Sequence, residues 1–440
     1  MKRRNFLRNS SLAFAGSHVA GRIAYGSSFP GNEKPDISPI RGYKILGKTG
    51  FAVSDIGAGG AFSEAVLRAL LEAGVNYIDA GEAYENGNRE RTIGNVIKDF
   101  DRKKIFITSK LLEENAFFKS TEDVINRTHK VLERLQSDYV DCILIHGVEN
   151  SKFLDDPAFH QGMDILKAEG RVKYTGISCH GNAWLLQPEE SLEKVLMAAI
   201  DDGRFDLFMM TYNFMNAPVA ENILTACTKK GIGTAIMKSN PVLLYQVLDR
   251  LITSMEERDR DPGEAYYAWR NRYKMQTEKA REYFSRYNKN SDEELIEASL
   301  TYVLSNPNAH TVCVEFKNLT DVERFLSLSG SRLDQHQSGI LNNYLEHYGF
   351  LNCRIGCNEC EKACPHGLPV NTIMRYNYYF QNKKQEKEAM QLYARLQDKS
   401  VEHCKGCPGY CEEACPFGVS TRSLLAMAHQ NLTFEPDGYA

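Results

Sequence analysis

The chain has 440 residues, 42% of them apolar and 10% aromatic, enough to bury at least one large core and too apolar for a disordered polymer. A formal net charge of −4 leaves no basic excess for a phosphate backbone, so nucleic acid is not expected as a partner. After the N-terminal region no run reaches the roughly 20 apolar residues that cross a bilayer, so no membrane span is expected in the mature chain.

The N-terminus reads Lys2-Arg3-Arg4-Asn5-Phe6-Leu7-Arg8, followed from Ser11 to Gly21 by a moderately apolar stretch rich in Ala, Gly and Ser. Charge, apolar run and small residues in that order resemble a twin-arginine export signal. Residues 1–35 are therefore expected to be signal and linker, and the protein to be periplasmic; the plain alternative is a disordered basic start.

From about 42 to 335, short β-branched or apolar runs alternate with amphipathic helical stretches. The expected strands are 53–57, 76–80, 104–109, 139–146, 174–178, 206–212, 233–238 and 311–316. Eight strand-loop-helix units predict an α/β fold closed as a (β/α)8 TIM barrel. A helix is expected over 120–135, with Ser120 and Asp123 as a capping box and Val124, Thr128, Val131 and Leu135 on its buried face.

The crossover over 242–290 is far longer than an ordinary loop, and a helical insertion over one barrel end is expected there. Its Tyr266, Tyr267, Trp269 and Arg270 suit packing on the rim or stacking on a sugar. The charged run 382–387 reads as a solvated helix face.

In such a barrel the chemistry sits where strands end, which singles out Asp79, Tyr84, Lys110 and His146. Each alone is also an ordinary hydrogen-bonded polar residue. Four polar groups in order at successive strand ends, with the early hairpin 43–50 and Gly176-Ile177-Ser178, make the chain resemble the aldo-keto reductases over most of 42–330. The resemblance implies a nicotinamide-dependent oxidoreductase, NAD or NADP, interconverting a carbonyl and an alcohol by hydride transfer on a small substrate, a sugar among the candidates. Tyr84 would donate the proton, Lys110 oriented by Asp79 would favour its phenolate, and His146 would hydrogen-bond the substrate oxygen.

For the cofactor, Ser178 matches the residue that holds the nicotinamide carboxamide, and Asn213 keeps the family pattern after the sixth strand. Lys238 and Lys317 are candidate phosphate contacts. The chain departs from the family at Cys179, Met209 and Phe325, and Met237-Lys238-Ser239-Asn240 replaces the usual phosphate loop. These departures keep open a second class of function, a non-catalytic binding or sensor module on the same barrel.

Four of the twelve cysteines, Cys142, Cys179, Cys227 and Cys313, are scattered through the barrel region. The other eight form Cys353-x3-Cys357-x2-Cys360-x3-Cys364-Pro365 and Cys404-x2-Cys407-x3-Cys411-x3-Cys415-Pro416. Each is one residue longer than the bacterial ferredoxin run, and in two-cluster ferredoxins the cysteine before proline ligates the other cluster. Residues 345–440 are thus expected to form a small α-helical ferredoxin-like iron-sulfur domain with two 4Fe-4S clusters, Cys364 and Cys415 crossing over and a helical stretch at 371–397 between the groups. Zinc on the same thiolates is the alternative. The clusters would exchange electrons with a redox partner protein or hold the segment folded.

Overall fold

The computed structural model describes residues 37–60, 62–113, 117–181, 190–239 and 291–433, apart from positions 382, 384, 398, 400 and 405. The expected export signal and the insertion over 242–290 lie outside the described residues.

The first two strands, β1 (Tyr43–Ile45) and β2 (Ala52–Ser54), pair antiparallel with Lys44 opposite Val53. Gly50 supplies the left-handed φ of 69° that the turn needs. Leu46 and Val53 from this hairpin are fully buried against Tyr77, Phe106, Leu144 and Leu207, so the hairpin plugs one end of the barrel.

Eight parallel strands close that barrel: β3 (Ile56–Gly59), β4 (Tyr77–Asp79), β5 (Phe106–Leu112), β6 (Val140–His146), β7 (Val172–Cys179), β8 (Leu207–Thr211), β9 (Gly233–Met237) and β10 (Thr311–Glu315), with β10 pairing back to β3. These strands are buried on both faces, which explains their near-continuous apolar runs. One expectation straddled two elements. The run 53–57 is split at Asp55, whose buried carboxylate accepts from Ser329 Oγ at 2.7 Å and the Gly330 N–H at 2.7 Å and so draws the chain out of line between β2 and β3.

The helix expected over 120–135 is present as Thr121–Leu135. The Ser120 hydroxyl accepts from the Asp123 N–H at 3.1 Å, and Val124, Thr128, Val131 and Leu135 are all buried. Capping and a 3.6-residue apolar stripe thus suffice to specify this element.

Beyond the barrel, the helix Gln335–Tyr348 leads into the cysteine-rich segment, whose helices include Val370–Gln381, Glu386–Ala394 and Thr421–Leu432. The helical stretch expected over 371–397 is therefore two helices, Val370–Gln381 and Glu386–Ala394. Asp36–Ala440 cluster as one compact unit. Phe214 and Met215 after β8 share an apolar cluster with Leu341, Leu351, Val419, Leu424 and Met427. No helix among the described residues is long and apolar enough to cross a membrane.

Candidate active site

Strand β4 ends on Asp79, β5 carries Lys110 and β6 ends on His146, and all three side chains are buried. Tyr84 reaches them from the loop after β4. That loop is fastened by backbone bonds from Glu82 N to Lys110 O at 3.1 Å and from Tyr84 N to Gly81 O at 2.9 Å. The Glu82 carboxylate accepts from Leu112 N at 2.9 Å and is ion-paired with Arg127, so the tyrosine is carried by a braced turn.

The Lys110 ammonium donates to Asp79 Oδ1 at 2.5 Å, to the Ala80 carbonyl at 2.7 Å and to the Tyr84 hydroxyl at 3.1 Å. Its three hydrogens are thereby assigned. Thr108 Oγ1 adds a bond to the same Asp79 oxygen at 3.1 Å. The His146 ring stands edge-on to Tyr84 with centroids 5.6 Å apart. The four residues singled out from the sequence are brought to one place.

Electrostatics qualify one expectation. Burial raises the Tyr84 phenol and outweighs the opposing pull of Lys110, so its pKa ends above the usual 10. Tyr84 is thus held as a proton donor, and the phenolate the sequence suggested is disfavoured at rest. Burial also works against the Lys110 ammonium, but Asp79 and Tyr84 overcome it and keep the lysine charged. Burial, aided by Lys110, pushes His146 well below its ordinary value, so the imidazole is neutral.

These directions set a pH prediction. A reaction that consumes the phenol proton is expected to stay level from about pH 7 to 9 and to fall only above about pH 10, whereas the reverse reaction, which needs the phenolate, rises over that range. Initial rates in both directions across this range check it; a reduction rate already falling by half between pH 7 and 8 contradicts it.

The residues assigned to a nucleotide are less uniform. Ser178 is buried, and its hydroxyl accepts from Gly147 N at 2.9 Å while keeping its own hydrogen. The Asn213 side chain is occupied in holding its loop: its oxygen accepts from Met215 N and Asn216 N, and its amide donates to Lys238 O at 2.9 Å. Asn213 therefore positions Lys238. The Lys238 side-chain nitrogen is buried, while Lys317 lies exposed after β10. Met209 joins the apolar cluster inside the barrel, and Phe325 packs edge-on against Phe316, so packing takes up both departures from the family pattern.

Two residues at this mouth were not picked out from the sequence. His180 follows β7 directly, with its ring 6.4 Å from that of His146, and the rule that found His146 also points to it. Arg375 comes from the helix Val370–Gln381, and its charge acts on both His180 and Lys238. No local pattern announces an electrostatic influence exerted across so many residues.

A groove of about 810 Å³ among Lys98, Asp101, Arg102, Glu133 and Arg171 lies at the opposite end of the barrel, before β5 and β6. In this architecture that face serves stability.

In the C-terminal segment Cys353, Cys357, Cys360 and Cys415 line one pocket. Cys404 and Cys411 interact electrostatically with Cys407 and with Cys364. Each group of four thus takes its last member from the other sequence run. Asn371 Nδ2 donates to Cys353 Sγ at 3.2 Å, and Val419 N to Cys415 Sγ at 3.4 Å. Burial first and neighbouring cysteines second raise the Cys353, Cys357, Cys360, Cys404 and Cys411 thiols, Cys404 to about 11, so these ionise together only with a positive counter-charge. Among the described residues no three His, Cys, Asp or Glu side chains form a group that could hold a metal ion.

Residues 60–346, more than half of the chain, match the description of the aldo/keto reductase family. The chain belongs to the aldo/keto reductase family. Among curated relatives, methylglyoxal reductase YeaE of Escherichia coli is 33% identical over 114 residues, 26% of this chain and 38% of that protein. Glyoxal reductase of Bacillus subtilis is 27% identical over 212 residues, 48% of this chain and 68% of that protein. The chain spans less than half the length of the first curated relatives it matches. An aldo-keto reductase from Klebsiella pneumoniae, solved in complex with NADPH, is 18% identical with a TM-score of 0.47, over 69% of this chain and 95% of that one.

Proposed function

We propose that this aldo/keto reductase interconverts a small carbonyl compound and its alcohol with NADP(H). The carrying observation is the Lys110 ammonium bonded at once to Asp79 and to the Tyr84 hydroxyl. When bound, a reduced nicotinamide supplies hydride to the carbonyl carbon. Tyr84 then gives its proton to the carbonyl oxygen, and solvent returns one to Tyr84. Neutral His146 orients that oxygen, and the Lys110 charge stabilises the phenolate left behind.

The residues present fit the nucleotide in part: Ser178 has a hydroxyl hydrogen to give and Lys317 is a cation beyond a strand end, whereas Asn213 is already engaged. Two relatives named for methylglyoxal and glyoxal suggest small 2-oxo carbonyls as the substrate class. A test is anaerobic NADPH oxidation with methylglyoxal, glyoxal and aldose sugars. Stoichiometric alcohol product supports the reading; nucleotide and carbonyl bound without conversion would instead establish the binding-module alternative.

Two 4Fe-4S clusters belong to the same proposal, and periplasmic location by the twin-arginine route belongs with them, that route suiting a chain that gains clusters before export. When bound, clusters supply single electrons. The thiols fit them in part: four line one pocket and four more interact, although among the described residues no three stand as a group that could hold a single metal ion. The bland role is to hold this segment folded. Electron exchange with a partner protein is the second reading, favoured by closeness: Gly356, between Cys353 and Cys357, lies against Gly181 beside His180, where a Cβ on Gly181 would meet the Gly356 Cα at 2.8 Å.

The crossing of the cysteines is checked by iron content. Cys364→Ala is expected to lose about half the iron and the same spectral signals as Cys404→Ala, and Cys415→Ala to match Cys353→Ala. Cys364→Ala behaving like Cys353→Ala contradicts the grouping.

A further inference from the structure

Lys238 follows β9 with φ at +57°, a left-handed conformation that a lysine rarely takes and that clusters at functional positions. Asn213 holds it there through the 2.9 Å bond to its carbonyl. The side chain ends in a buried nitrogen with no hydrogen-bond partner among the described residues, and burial, aided by Arg375, holds its pKa well below the usual lysine range.

Arg375, on the helix Val370–Gln381, has its guanidinium carbon 4.2 Å from the Tyr378 ring centre and 4.7 Å from that of Tyr379. These rings fix the plane of the fork, so little freedom is left to lose on binding. Its Nε is likewise buried without a partner among the described residues. Glu149 is the carboxylate that acts on Lys238; Arg375 and Lys383 act on it with the opposite sign. The Lys110 charge is matched by Asp79, so the excess at this mouth is positive.

Burial without a partner disfavours a cation, and an arriving anion relieves that cost. From these positions we infer that Lys238 and Arg375 form an anion subsite at the barrel mouth, which takes a carboxylate carried by the carbonyl substrate, as in a 2-oxo acid. This inference rests on the proposed carbonyl chemistry, because His180, on which both cations act, bridges toward His146 at 6.4 Å between rings. The cysteine-rich segment then contributes a specificity residue, Arg375, to the barrel. Lys238, a phosphate candidate in the sequence, is assigned to substrate instead.

The probe is oxamate, an unreactive carbonyl carboxylate, with neutral acetamide as control, titrated calorimetrically into the full cluster-loaded chain with and without NADPH. Oxamate is expected to bind and acetamide not. Arg375→Gln weakens oxamate by about tenfold or more, Arg375→Lys restores most of that loss, and NADPH affinity is unchanged in both. A wild-type chain that does not bind oxamate overturns the inference, as does equal affinity in Arg375→Gln. A parallel loss of NADPH affinity also overturns it and gives the two cations to the nucleotide phosphates. Oxamate binding in a chain that reduces no carbonyl leaves the subsite standing and removes the catalytic reading; turnover of neutral aldehydes without oxamate binding does the reverse.

Discussion

In the Tyr84→Phe variant, turnover of any carbonyl substrate is expected to fall by about 10²–10⁴-fold while nucleotide affinity is preserved. The change removes one hydroxyl and keeps the ring that stands against His146. It deletes the acceptor of one Lys110 bond, yet Lys110 keeps Asp79 and the Ala80 carbonyl, so the buried charge stays paired and the fold should hold. Single-turnover absorbance with prebound NADPH separates the loss of chemistry from any loss of binding. Retained turnover would show that another group gives the proton and would remove Tyr84 from the mechanism.

Lys110→Met is expected to be costly in two ways. It leaves the Asp79 carboxylate buried with the Thr108 hydroxyl still bonded to it but no cation, and breaking a buried pair from one side typically costs about 3–5 kcal/mol. It also removes the charge that opposes the rise of the Tyr84 pKa, so residual alcohol oxidation should need a still higher pH. Chemical denaturation measures the first effect and the oxidation pH profile the second. The paired change Lys110→Met with Asp79→Leu is expected to recover stability without recovering activity, because it removes both buried charges. A single variant as stable as the parent would mean that the pair contributes little to folding.

The barrel was legible because its signals are local. Each strand from β4 to β10 shows as an apolar run, and the rule that polar groups at strand ends carry the chemistry led to Asp79, Lys110 and His146 directly. The helix Thr121–Leu135 was set by its cap and stripe. What escaped was non-local. The split at Asp55 depends on Ser329 and Gly330, which are far away in sequence, and no propensity encodes that anchor. Burial, known only once the chain is closed, raises Tyr84 where sequence logic would lower it. Arg375 reaches the mouth by the packing of the cysteine segment on the barrel, through clusters such as Met215 with Leu351. Asn213 kept a family pattern, yet its amide is spent on Lys238, a use that spacing alone does not reveal.

The most direct measurement is transfer of label. NADPH carrying deuterium at the transferring position is incubated anaerobically with the full chain and methylglyoxal, and the alcohol is analysed by mass spectrometry. The account predicts one deuterium on the new carbinol carbon in the parent chain and about 10²–10⁴-fold less labelled product in Tyr84→Phe. Product formed without the label, or labelled equally by both chains, would contradict hydride transfer completed by a Tyr84 proton.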